Sequence, residues 1–284
     1  MPFLKHVFWS QGYRPLFLLS SIAAIMGIIG WDMFIAGYWM PNYILSGSSL
    51  PAMWHAHEMI FGFAGAAIGG FLLTAVPNWT GKPPISSINL FILTICWVAG
   101  RLGLWLAIES KPLLQMLALA DIAYFIGLTL WISYAIAGSG NKRNLGFILL
   151  TVLLTLFNAL FHFGADINPG LQPIAIYGAL ASVLVILNII GGRIIPMFTA
   201  NWVKQNLPIN GSAKRQNPTI EKASHASLSL FLILLTFYPQ SIGVALVGIA
   251  TFGILIYRWS MWRFWDIASE PLLWVLHLGY LWVP

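Results

Sequence analysis

Six uninterrupted apolar runs, at about 16–39, 53–76, 88–108, 113–137, 145–164 and 174–198, occupy most of the first two thirds of the chain. A bilayer core of about 30 Å takes about 20 residues of α-helix to cross. Backbone amides in hydrocarbon have no water to bond, so only helices and closed barrels can span it. These runs are too long and continuous for barrel strands, and each is expected to be a transmembrane helix. A shorter run at 226–237, followed by Tyr238, Pro239 and Gln240 and then by a run at 242–257, is expected to be a hairpin of two short spans. After the polar stretch 258–270 a ninth apolar segment begins at Pro271, and it supplies too few residues to cross a bilayer before Pro284. The expected fold class is all-α: a polytopic membrane helix bundle of about eight complete transmembrane helices plus an incomplete ninth, in a single transmembrane domain over 1–284.

Composition agrees. Only 8% of the residues are charged and 59% are hydrophobic, whereas soluble domains carry about a quarter charged residues. The net charge of +6 would suggest nucleic acid in a soluble protein. Here the basic residues lie between apolar segments, where membrane topology accounts for them and no nucleic-acid partner is implied. The single cysteine, Cys96, sits in an apolar run and reads as packing filler, so neither a disulfide nor a cysteine-rich metal site is available. The first apolar segment lacks a clear small-residue cleavage site and is expected to be retained as a span.

Lys and Arg alternate between loops. Lys5, Arg14, Lys82, Lys142, Arg143, Lys204, Lys214, Arg215, Lys222, Arg258 and Arg263 fall on one side of the expected spans, and Lys111 alone falls on the other. Positive residues favour the cytoplasmic face. The amino terminus is therefore expected in the cytoplasm, as is the longest connection, 199–223, whose Gly, Pro, Asn and Ser content suits a flexible loop.

Ionisable groups in hydrocarbon are costly and usually turn into the bundle, where they often mark a site. With a rise of about 1.5 Å per residue, Asp32, His55, His57, Glu58, Arg101, Asp121, Asn158 and His162 all fall in the outer half of their spans. Eight polar residues from five helices thus converge at one depth. Competing readings accompany them. Asp32 suits a helix end at the headgroups, Arg101 and Asp121 suit a buried ion pair without chemistry, and His162 suits a solvated terminus. A second, inner cluster is expected from Asn188, Arg193 and His277, with Gly191 and Gly192 allowing close helix approach. His225, beside the cytoplasmic loop, is read as structural.

The segment Trp54-His55-Ala56-His57-Glu58-Met59 supplies imidazole, carboxylate and thioether, ligand types suited to haem iron and copper. Residues two apart on a regular helix point about 200° from one another, so His55 and His57 cannot both face one metal, while His55 shares a face with Glu58 and Met59. Three arrangements satisfy this limit. One histidine ligates and the other orients it, the two serve different metals, or the segment is unwound.

The runs Gly12-Tyr13-Arg14-Pro15-Leu16-Phe17, Trp54-His55-Ala56-His57-Glu58-Met59-Ile60-Phe61-Gly62-Phe63 and Gly70 to Gly81, which includes Ala75-Val76-Pro77-Asn78-Trp79-Thr80-Gly81, resemble signature stretches of the NnrS family. So do Ala99-Gly100-Arg101, the run Gly192 to Thr199 and the run Leu276 to Tyr280. The resemblance implies a multi-pass protein of the bacterial inner membrane, associated with haem and copper and with protection against nitric oxide and nitrosative stress, often beside denitrification. Nitric oxide and respiratory or denitrification proteins are its implied partners besides the lipid bilayer, and whether it catalyses a reaction is left open. It makes His55, His57, His162 and His277 metal-ligand candidates and Arg14, Glu58, Arg101 and Arg193 candidates for cofactor binding. The family pattern has about twelve spans, so an end within the ninth is a departure from it. No quinone or nicotinamide motif is visible. A transporter using the outer polar cluster as its path, and a scaffold or metal-delivery partner of a respiratory complex, are the alternative functions.

Overall fold

The computed structural model describes residues 2–39, 51–106, 110–140, 142–207 and 217–284. Among these residues there is no strand. Among the described residues nine helices carry the fold: α1 (Tyr13–Ile35), α2 (Pro51–Thr80), α3 (Ser87–Trp105), α4 (Lys111–Ala137), α5 (Leu145–Ile167), α6 (Leu171–Asn206), α7 (Pro218–Phe237), α8 (Ile242–Ser260) and α9 (Pro271–Tyr280). Eight are long and apolar enough to cross a membrane, and α9, with 10 residues, is not.

The surface is the inverse of a soluble protein's. Ile22, Ile25, Ile28 and Ile29 of α1 and Leu149 and Leu156 of α5 are exposed, while Glu58, Arg101 and Asp121 are buried. Apolar surface facing water costs about 25 cal/mol per Å², and in lipid that cost vanishes. The charged groups turn inward for the complementary reason, since each must find a partner away from hydrocarbon.

Local chemistry sets the helix ends. Ser86 caps α3 by accepting a bond from the Asn89 amide at 3.3 Å, and Asn217 caps α7 through the Thr219 amide at 2.9 Å. Pro218 then occupies the first turn of α7, where its missing N–H costs nothing. This cap starts α7 well before 226, the start the apolar run suggests, so α7 is a full-length span of 20 residues. At its other side α6 continues past 198 to Asn206, because Trp202 and Val203 find apolar partners in Ile267 and Leu273. The connection expected over 199–223 is thereby confined to the residues between Asn206 and Pro218. Of that connection 208–216, with Lys214 and Arg215, lie outside the described residues, as does the expected end of α3 at 108.

The chain divides into two compact units, Met1–Leu180 and Ala181–Pro284, with α6 contributing to each. In the first, α1 packs on α2, α3 on α4 and α4 on α5. The start of α2, the end of α3, the first half of α4 and the end of α5 share ion pairs and hydrogen bonds, so these helices run alternately up and down. In the second unit α7 and α8 form a hairpin whose core is Leu228, Leu232 and Leu255.

Candidate functional site

The site is built where α2 departs from regular winding. Its first segment, Pro51–His57, is α-helical, and Glu58–Ala64 is a π-helix that ends with the Gly65 amide bonded to the Ile60 carbonyl, five residues back. π-Helical turns are rare and concentrate at functional sites. The wider turn lets His57, Glu58 and Phe61 all point into the unit, and all three are buried. His55 and Met59 instead face α1. The His55 ring stacks on Trp31 with centroids 4.7 Å apart, and the Met59 sulfur lies 2.9 Å from where a Cβ on Gly27 would stand. The face that a regular helix would give His55, Glu58 and Met59 is thus split, with Glu58 turning towards α3.

Asp121 on α4 is the centre. Its Oδ2 lies 2.7 Å from Arg101 Nη2, 3.0 Å from His162 Nε2 and 3.5 Å from His57 Nε2. Glu58 completes a ring of charge, with Oε1 at 3.5 Å from Arg101 Nε and 3.4 Å from His57 Nδ1. The Trp105 indole donates to its other oxygen at 2.6 Å. Asn158 on α5 closes the far side, with Oδ1 3.0 Å from His57 Nε2. Gly100 permits this closeness, since a Cβ there would stand 2.5 Å from Asp121 Cβ.

Among the described residues, His57, Asp121 and His162 can offer ligand atoms that all lie within 4.8 Å of one another. Two imidazole nitrogens and one carboxylate oxygen suit a borderline transition-metal ion. The charge count points the same way. Glu58 and Asp121 bring two negative charges and Arg101 one positive, so with neutral histidines the buried cluster carries a net charge of −1. An uncompensated buried charge is costly, and a cation or a proton at this centre removes it. Several polar atoms also have no hydrogen-bond partner, namely Asp121 Oδ1, Asn158 Nδ2 and the guanidinium Nη1 of Arg101.

Six of the eight outer residues singled out in the sequence, His57, Glu58, Arg101, Asp121, Asn158 and His162, are therefore one contiguous network. Asp32 is exposed on α1, and His55 lies outside the network against Trp31. Arg14 is also apart, half-buried at the start of α1 with its guanidinium 5.5 Å from the Tyr13 ring.

The second unit holds the inner residues Asn188, Arg193 and His277. His277 is buried beside Trp259, Trp262 and Phe264, with Nε2 2.9 Å from Thr199 Oγ1. Arg193 is half-buried on α6. Asn188 belongs to a network that sequence reasoning missed, centred on Arg258. This guanidinium pairs with Glu221 and donates to Asn188 Oδ1 at 2.6 Å and to the Tyr280 hydroxyl at 3.0 Å. His225 joins through Asn188 Nδ2 at 3.0 Å. Gly192 leaves the space that Arg258 fills, because a Cβ there would overlap the guanidinium. The available signal was Glu221 in the first turn of a proline-started helix, one of the few acidic residues in the second unit.

A family description, NnrS protein, matches residues 7–284. No curated protein and no solved structure matches the chain.

Proposed function

The chain belongs to the NnrS family, and from that premise we propose that it is a copper-binding inner-membrane protein that protects against nitric oxide. One observation carries this proposal: His57, Asp121 and His162 converge in a buried cluster that is one positive charge short of neutrality. In the proposed topology, with a cytoplasmic amino terminus, the cluster lies in the outer half of the membrane. Nitric oxide dissolves in lipid and would reach it from the bilayer or the periplasm.

A copper ion held there supplies a redox-active centre able to bind a small diatomic ligand. The chain's own residues have separable tasks. Glu58 accepts the Nδ1 proton of His57, which leaves the Nε2 lone pair facing Asp121; carboxylates commonly orient metal-binding histidines in this way. Asn158 Oδ1 lies at the same Nε2 edge, and with Nε2 unprotonated this carbonyl oxygen faces the position a metal would take. Arg101 tethers both carboxylates and limits the charge that the metal must balance. Phe61 and Phe161 cover the His57 ring at centroid distances of 4.7 and 4.3 Å and keep water from the centre.

Haem, the other group the resemblance implies, is not met by a histidine at the lipid-open cavity of the first unit. The cavity beside Glu58 and Arg101 has no imidazole in its wall, and His277 is enclosed by aromatic rings with Nε2 engaged by Thr199.

The test is metal analysis of the purified full chain after copper loading, with electron paramagnetic resonance before and after nitric oxide. Bound copper whose signal changes with nitric oxide, and which is lost in His57→Ala and His162→Ala, is the expected result. A wild-type chain that retains no copper overturns the proposal.

A further inference from the structure

Beside the charged network, on the side away from His162, the first unit contains an apolar cavity of about 530 Å³ between α1 and α3. Its wall follows α1 from Leu19 to Met33, about 21 Å at the helical rise of 1.5 Å per residue. Ile22, Met26, Ile29 and Met33 along this wall are exposed, so the cavity is open to lipid. Three indole rings, Trp39, Trp97 and Trp105, stand at its walls, and Trp39 and Trp105 are stacked 5.3 Å apart. Among the described residues, the charged ones in its lining are Glu58 and Arg101. Arg101 is buried, and its Nη1 has no hydrogen-bond partner.

This combination selects its ligand. A long lipid-open wall fits an apolar chain, and flanking indoles fit a flat ring. The polar end offers an acceptor and a donor of opposite charge side by side. An anionic head would be repelled by Glu58 and a cationic head by Arg101. A neutral head avoids both repulsions: a quinone carbonyl accepts from Arg101, and the hydroxyl of the reduced quinol can also donate to Glu58, so no further charge is buried. We propose that the cavity is a binding site for a prenylated quinone or quinol, with the ring at Trp105, Glu58 and Arg101 and the tail along α1.

Purified full chain in detergent is titrated with short-tailed benzoquinone and naphthoquinone analogues, with tryptophan fluorescence as the readout and a short-chain phospholipid as competitor. Bound copper is measured in the same samples. Val98 lines the cavity and lies outside the charged network. Saturable quenching is expected for the wild type, weakened about tenfold or more in Val98→Phe, which fills the pocket, with bound copper unchanged. Trp105→Phe, which loses the indole donor and one ring, is expected to weaken it as well. Unsaturable quenching, equal affinity in wild type and Val98→Phe, or displacement by phospholipid as effective as by quinone overturns the proposal. Because copper is read separately, failure of quinone binding with copper retained counts against this site alone, and loss of copper with quinone binding retained counts against the metal centre alone.

Discussion

Arg101 Nη2 stands 2.7 Å from Asp121 Oδ2 across the α3–α4 contact, and neither side chain is more than 9% exposed. The pair lies in the apolar first unit, so neither charge has water to fall back on. Glu58, on α2, touches the same guanidinium at 3.5 Å. One arginine thus joins three helices, and its removal would strand two carboxylates in a low-dielectric interior.

Arg101→Met is therefore expected to destabilise the chain by about 3–5 kcal/mol, the usual cost of breaking a buried pair from one side. Adding Asp121→Leu should recover much of this loss of stability, since removing both partners leaves a single buried carboxylate. Thermal unfolding of the detergent-solubilised variants measures it. Equal stability of Arg101→Met and wild type would show that Asp121 and Glu58 have found other compensation.

Gly100 controls the same contact sterically. A Cβ there would stand 2.5 Å from Asp121 Cβ and 2.8 Å from its carboxyl carbon, so α3 and α4 must separate to admit it. Gly100→Ala should cost about 1–3 kcal/mol, the range for overpacking a tight interior. It should also lower copper retention, because Asp121 moves with α4. Gly146, with nothing within 4 Å of an added Cβ, provides the control: Gly146→Ala should leave stability and copper unchanged.

Much of this was legible in the sequence, for a physical reason. Spans announce themselves by length and apolarity, and Glu58, Arg101, Asp121 and His162 announce a shared site because hydrocarbon forbids charges without partners. Three features were hidden. The start of α7 carries Glu221, Lys222 and Ser224, which no apolar window recovers, and only the Asn217 and Pro218 cap marks it. Arg258 looked like a loop charge but is 1% exposed, because its partners Glu221, Asn188 and Tyr280 come from distant parts of the chain. The π-helix over Glu58–Ala64, which packs mainly on α1, breaks regular winding, so the separation of His55 from Glu58 could not follow from regular helical geometry.

That separation gives a clear contrast between histidines. His57 and His162 each lie within 3.5 Å of Asp121 Oδ2, whereas His55 stacks on Trp31. His57→Ala and His162→Ala should each abolish copper retention through a chelating column. His55→Ala and His277→Ala should keep it. Loss of copper in His55→Ala with normal retention in His57→Ala would move the centre from α4 to the α1 face.

Arg258 provides a test confined to the second unit. Its guanidinium contacts Glu221, Asn188 and Tyr280, so Arg258→Met leaves a carboxylate, an amide and a hydroxyl short of a donor. Unfolding should become easier by about 3–5 kcal/mol, while copper retention at equal folded protein stays at the wild-type level. Limited proteolysis followed by mass spectrometry should place the new cleavage sites in the second unit. Copper loss without any loss of stability would mean that Arg258 takes part in the metal centre.

Glu58 separates orientation from charge. Glu58→Gln keeps the length of the side chain and an oxygen to accept the Trp105 indole, but it weakens the acceptor facing His57 Nδ1 and removes one of two negative charges. Both changes lower metal affinity, the first by freeing the ring to turn and the second by reducing the charge a cation would balance. Loss of partners that orient a ligand typically costs about 10–100-fold in affinity, and copper competition with a calibrated chelator should fall in that range. Stability should hold or rise, since the variant cluster with neutral histidines has no net charge. Copper affinity equal to wild type would show that His57 is oriented without Glu58, leaving Asn158 as the residue that sets its ring.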